Sequence, residues 1–137
     1  TPLDKLRQIW IHMYKQNFLF SGSEQELEDW ATKTASKLNG GQQIQKLTWL
    51  KPDMVHQVLE QLKQWHKRLL VKALPDLKAK VIMFNQEDRL NTEQRKIFTR
   101  TMEVLGRRTS HQVYAQAFDD LELIIKEVNK NEASALS

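Results

Sequence analysis

Apolar residues recur at steps of three and four along most of the chain, the spacing that gathers them on one face of an α-helix. Leu3, Leu6, Trp10 and Met13 predict a first helix over about residues 3–16. Phe18-Leu19-Phe20 then forms an apolar connector ended by Ser21-Gly22. Ser23 followed by Glu26 fits a capping box, in which the serine oxygen takes an amide of the first turn and the glutamate reaches back. It opens a second helix with Leu27, Trp30, Ala31, Thr34 and Leu38 on one face. Asn39-Gly40-Gly41 stops that helix, because glycine tolerates the left-handed conformation of a helix end. Residues 42–50 carry no clear period. Lys51-Pro52-Asp53 restarts a helix with proline in the first turn, where no amide is required. Val55, Val58, Leu59, Leu62, Trp65 and Leu69 form the stripe of this third helix. Pro75 lacks a donor and clashes one turn back, so it is expected to interrupt the path and open a fourth helix to about Asp88. Asn91 with Gln94 reads as a second capping box, opening a fifth helix with Ile97, Phe98, Thr101, Met102 and Leu105, closed by Gly106. Thr109 is expected to cap a sixth helix carrying Val113, Ala117, Leu121, Ile124 and Val128.

No strand-like alternation persists, and no pairing is expected beyond a short one within residues 42–50. The predicted fold is therefore all-α, with about six short helices in two consecutive three-helix groups. The first group is placed at residues 3–72 and the second at 73–130, with a frayed polar tail over 131–137. All four tryptophans, Trp10, Trp30, Trp49 and Trp65, lie in the first half. The period puts Trp10, Trp30 and Trp65 in the core and leaves Trp49 in a turn.

Composition narrows the function. The absence of cysteine excludes disulfides, thiolate metal sites and a cysteine nucleophile. No apolar run approaches the roughly 20 residues that span a bilayer, and the first residues lack the apolar core of a signal peptide. No phosphate-binding glycine loop, zinc-protease motif or nucleophile elbow is present. His12, His56, His66 and His111 have no metal-ligand spacing and read as surface or half-buried side chains. Carboxylates adjacent in sequence, such as Asp119-Asp120, point about 100° apart on a helix and do not converge as an acid/base pair. The expectation is a non-enzymatic protein without cofactor, metal or membrane association. Its net charge of +4 is compatible with nucleic acid without demanding it. Residues 1–70 carry ten Lys/Arg against seven Asp/Glu, and residues 71–137 carry eleven against ten, so most of the surplus lies in the first half.

Four segments of that half, taken in order, resemble one family. They are Lys5-Leu6-Arg7-Gln8-Ile9-Trp10-Ile11-His12-Met13, then Gly22-Ser23-Glu24-Gln25-Glu26-Leu27 with Trp30, then Leu47-Thr48-Trp49-Leu50, and finally Val58-Leu59-Glu60-Gln61-Leu62-Lys63-Gln64-Trp65. Over about residues 5–68 they resemble the GemA-type regulatory proteins of Mu-like bacteriophages and prophages. The resemblance implies a protein of the bacterial cytoplasm that modulates host gene expression or DNA state, rather than an enzyme. The chain departs from the family pattern in a longer link over residues 35–45. It also has Lys51 where a Thr or Ser cap would stabilise the next helix by about 1 kcal/mol. Residues 71–137 have no counterpart in that pattern.

Two partner classes follow. DNA would be held by phosphate contacts from Lys63, Lys67, Arg68 and Lys72 near the end of the third predicted helix. Arg95, Lys96, Arg100, Arg107 and Arg108 on and after the fifth would add to them. Lys63 with Lys67, and Arg68 with Lys72, are four apart and share helix faces. The alternative is an adaptor docking on a host regulatory or DNA-processing protein through an apolar groove, using Phe18, Phe20 and Trp49. Oligomeric state is not legible.

Overall fold

The computed structural model describes residues 1–41 and 43–136. Five α-helices follow in order: α1 Pro2–Lys15, α2 Glu24–Leu38, α3 Pro52–Gln86, α4 Thr92–Arg107 and α5 His111–Ala135, with a 3-10 turn at Leu47–Trp49 between α2 and α3. No strand occurs among the described residues. Gln42, the first residue of the stretch in which a short pairing was conceivable, lies outside them. The chain divides into two compact units, Thr1–His66 and Lys67–Ser137.

The all-α expectation holds, but the count of six helices does not. The third and fourth predicted helices are one helix, α3, which runs through Pro75. A proline inside a helix costs about 3 kcal/mol. That cost is offset because the apolar spacing carries on across it: Leu70, Leu74, Val81 and Phe84 are all buried, while Pro75 faces solvent. The chain does not fall into two clean groups of three helices, because residues of α3 belong to both units. The close backbone approaches are α1 with α2, α2 with the 3-10 turn, and α4 with α5.

Helix ends follow local chemistry. Thr1 and Asp4 form a capping box at α1, as do Asn91 and Gln94 at α4. The Ser23 hydroxyl accepts from the Glu26 amide at α2. At α5 the cap is Ser110, whose hydroxyl accepts from the Val113 amide at 3.3 Å, and not Thr109 as expected. Either hydroxyl could cap; extended backbone at Ser110 decides which one does. Three helices close in the same way. Asn17, Gly40 and Asp88 adopt positive φ of 68°, 67° and 56°. The next residue then donates back across the last turn, as from Phe18 to Met13 and from Arg89 to Phe84, both at 2.9 Å. α5 continues to Ala135, through most of the segment expected to fray; Ser137 lies outside the described residues.

The core of the first unit joins Leu6, Ile9, Trp10 and Met13 of α1 to Leu27, Ala31 and Ala35 of α2. Leu47 and then Val55, Val58, Leu59 and Leu62 of α3 complete it. Three indoles meet within it, with Trp30 stacked on Trp65 at 5.7 Å and Trp10 tilted against both. In the second unit Leu70, Leu74, Val81 and Phe84 form one side of the core. Ala115, Ala117, Phe118, Leu121, Ile124, Ile125 and Val128 of α5 supply the rest.

Candidate functional site

α4 is amphipathic in an unusual way. Its most buried side chains are polar, Gln94 and Thr101, whereas Ile97, Phe98, Met102 and Leu105 are only half-buried. Gln94 serves the cap and donates to Glu127 of α5 at 3.2 Å. The opposite face carries Lys96, Arg100, Glu103 and Arg107, at steps of four, three and four that keep them on one side.

The nine candidate cations differ in what already holds them. Lys63 lies 3.5 Å from Glu60. The Lys67 ammonium sits over the Tyr114 ring at 5.7 Å. Arg95 meets Asp88 at 3.3 Å and the Leu90 carbonyl at 3.2 Å, and Arg107 is paired with Glu103. Arg68, Lys72, Lys96, Arg100 and Arg108 are exposed and make no ion pair among the described residues. Lys63 belongs to the first unit and the other eight to the second. Arg95, Lys96 and Arg100 line one open groove along α4, with Thr92, Thr99 and Glu103. Arg100 also turns toward a second cleft, between α4 and α5, which it shares with Arg108.

Arg89 is the most strongly paired cation of the second unit, and its sequence context did not single it out. It donates to Glu132 through Nε at 2.7 Å and Nη2 at 2.5 Å, and to Glu87 at 2.8 Å, with its guanidinium over the Phe84 ring. The Glu132 carboxyl is held below its ordinary pKa by the hydrogen bonds from Arg89, which in turn raise that of the guanidinium. This fork ties α5 at Glu132, inside the segment expected to fray, to the residues after α3.

Of the apolar candidates, Phe20 is fully exposed and Trp49 is 59% exposed, with the Lys46 ammonium over the Trp49 ring at 5.6 Å. Phe18 instead packs edge-on against His66 at 6.0 Å. His66 was read as a surface or half-buried group, but it is fully buried. Its Nε2 lies 2.6 Å from Gln16 Oε1, and Gln16 Nε2 lies 3.1 Å from His12 Nε2. The buried histidine takes a polar partner from α1, which is how a polar ring is tolerated in a core. The period alone did not show this, since His66 sits beside Trp65 in the stripe.

Among the described residues there is no group of three or more side chains able to hold a metal ion, and no helix long and apolar enough to cross a membrane. The first unit is thus a small helical module with an indole-rich core and exposed aromatic tips. Residues 1–68 match the family model described as Bacteriophage Mu, GemA protein. The GemA protein of Escherichia phage Mu is 37% identical over 73 residues, which are 53% of this chain and 40% of that protein. The GemA protein of Escherichia phage D108 is 36% identical over 73 residues, with the same shares. Through residues 1–68 the chain belongs to the GemA family. The match spans less than half the length of these relatives. No solved structure matches significantly.

Proposed function

We propose that the chain is a non-enzymatic phage regulatory protein that modulates host gene expression or DNA state, and that it binds DNA through phosphate contacts from basic helix residues. Family membership supports the regulatory reading. One observation carries the DNA reading: Lys96 and Arg100 stand four apart on the exposed face of α4, with Arg108 just beyond its end, and none of the three has an acidic partner among the described residues. Free cations spaced along a helix can each displace a counterion from a phosphate, whereas a cation already paired contributes less. Arg68 and Lys72 belong to the same unpaired set, while Lys63, Lys67, Arg95 and Arg107 are secondary contributors.

Measuring affinity for short unrelated duplexes at several salt concentrations tests this. The Lys72→Ala/Lys96→Ala double variant should weaken binding equally for all sequences and reduce the slope of log affinity against log salt by roughly two. A folded variant with unchanged slope removes these residues from the site. Wild-type protein without affinity at low salt removes DNA altogether. The exposed Phe20 and Trp49 favour a second reading, an adaptor that docks on a host protein. Such docking would buries apolar surface and would resist salt, unlike phosphate binding.

A further inference from the structure

Trp49 is placed unlike the other tryptophans. Trp10 is 4% exposed and Trp30 and Trp65 stack on each other, whereas Trp49 is 59% exposed. Tryptophan is highly buried on average, because covering an indole is strongly favourable. Local structure nonetheless holds this ring outward. The turn Leu47–Trp49 is closed by the Trp49 amide donating to the Lys46 carbonyl at 3.0 Å and the Leu50 amide donating to the Leu47 carbonyl at 3.2 Å. Leu47 anchors the turn, since its side chain is buried and its amide donates to the Glu28 carboxylate at 3.3 Å. Pro52 follows and biases Lys51 toward extended backbone. The indole therefore stands on a fixed base, and little ordering is left to cost affinity when something stacks on it.

The surroundings of the ring select what it can take. The Lys46 ammonium lies 5.6 Å from the ring centroid, and Lys51 is exposed two residues further on. Neither has an acidic partner among the described residues. The carboxylates nearest in contact or sequence serve other ends: Glu28 takes the Leu47 amide, and Asp53 sits in the first turn of α3, where the helix dipole favours negative charge. Between Leu38 and Val71 no other large apolar side chain is exposed among the described residues. A protein partner is held by several apolar groups around a desolvated centre, which a lone indole between two free cations does not provide. The same set matches a nucleotide, with the ring face against a base and the ammonium groups against phosphates. A cation–π contact is weak at an exposed site, so the flexible Lys46 side chain exchanges the ring for a phosphate at little cost. Bases in a duplex are covered on both faces by their neighbours, so an indole platform selects unpaired ones.

We propose that segment 46–51 binds single-stranded DNA, with Trp49 stacking on an unpaired base and Lys46 and Lys51 neutralising the flanking phosphates. The choice of DNA over RNA rests on the functional reading, whereas the stacking site itself does not require the cations of α4.

Titration of the full chain with labelled oligothymidylate of about eight nucleotides, within the span of small single-strand sites, and with a short duplex is the test, followed by fluorescence anisotropy at several salt concentrations. Trp49→Ala should weaken oligothymidylate about tenfold and the duplex much less, and Trp49→Phe, which keeps a stacking face, should retain most of the affinity. Lys46→Gln/Lys51→Gln should reduce the slope of log affinity against log salt by about 1.4, or 0.7 for each phosphate on a single strand. Oligothymidylate should quench part of the indole emission in the parent and none in Trp49→Phe, because the other three indoles lie in the core cluster. All of these variants replace exposed side chains and should melt close to the parent. Equal affinities in parent and Trp49→Ala, equal losses for single strand and duplex, or Trp49→Phe as weak as Trp49→Ala overturns the proposal. Tighter binding of oligouridylate at the same residues overturns the assignment to DNA. No oligothymidylate binding at low ionic strength overturns the proposal and leaves Trp49 to host-protein docking. If the duplex still binds through Lys72 and Lys96, only this site falls. Single-strand binding that needs Trp49, in a protein that ignores the duplex, supports the site and removes the duplex reading of α4.

Discussion

Pro75 offers a direct measure of how far tertiary packing overrides local preference. It lies well inside α3, with more than twenty helical residues before it and eleven after it. At an interior position proline is about 3 kcal/mol worse than alanine, through a missing amide and a ring that crowds the preceding turn. The acceptor deprived here is the Val71 carbonyl, and both Val71 and Pro75 are exposed, so water partly replaces the lost bond. Alanine also frees the unfolded chain, which returns about 0.4–1 kcal/mol in the opposite sense. Pro75→Ala should therefore stabilise the protein by about 2 kcal/mol, a rise in melting temperature of roughly 5–10 °C. Pro75→Gly should gain about 1 kcal/mol less, since glycine is that much worse than alanine only inside a helix. Urea and thermal melts followed by far-ultraviolet circular dichroism would give both values. An unchanged or lower melting temperature for Pro75→Ala, with alanine and glycine equivalent, would refute a continuous α3 and restore two helices meeting at the proline.

Core and electrostatic predictions follow from the same geometry. Met13→Ala empties a fully buried position and should destabilise the first unit by about 2–5 kcal/mol. On the same helix, exposed Ile11→Ala should stay within about 0.5 kcal/mol, as chemical denaturation would show. The Glu132 carboxyl has a depressed pKa in the folded state, so its pairing with Arg89 stabilises fully above the ordinary glutamate pKa. That contribution is lost as pH falls through the lowered value. The melting-temperature difference between parent and Glu132→Gln should accordingly be constant near neutrality and shrink at acid pH; a difference independent of pH would show that the pair is not coupled to folding.

The features legible in the sequence are those whose physics is local. Asn91 with Gln94 announces a helix start because both hydrogen bonds close within four residues, and both form. Gly40 announces a helix end because glycine takes positive φ without strain. Asn17 and Asp88 perform the same task less visibly, since asparagine and aspartate adopt that conformation only under the pull of their surroundings. Pro75 misled for the opposite reason: its local penalty is plain, whereas the stripe of Leu70, Leu74, Val81 and Phe84 that outweighs it has meaning only once a core exists. Among the aromatics, helical spacing pointed Trp10, Trp30 and Trp65 inward alike, yet only Trp10 is fully covered, because Trp30 and Trp65 stack on each other and share the edge of the cluster. The candidate site was least legible, because pairing decides which cations are available. Arg89 finds Glu132 across 43 residues of sequence and Arg95 finds Asp88 across seven, which charge spacing along one helix does not reveal.

Most of the unpaired cations lie outside the stretch that the GemA family model matches, and this bears on what family membership can carry. The family model ends at residue 68, and the relatives align over 73 residues, whereas Lys96, Arg100 and Arg108 on and after α4 come well beyond. Membership therefore bears on the indole-rich module and contributes nothing to the choice among the cations of α4. The DNA reading stands on charge and pairing alone.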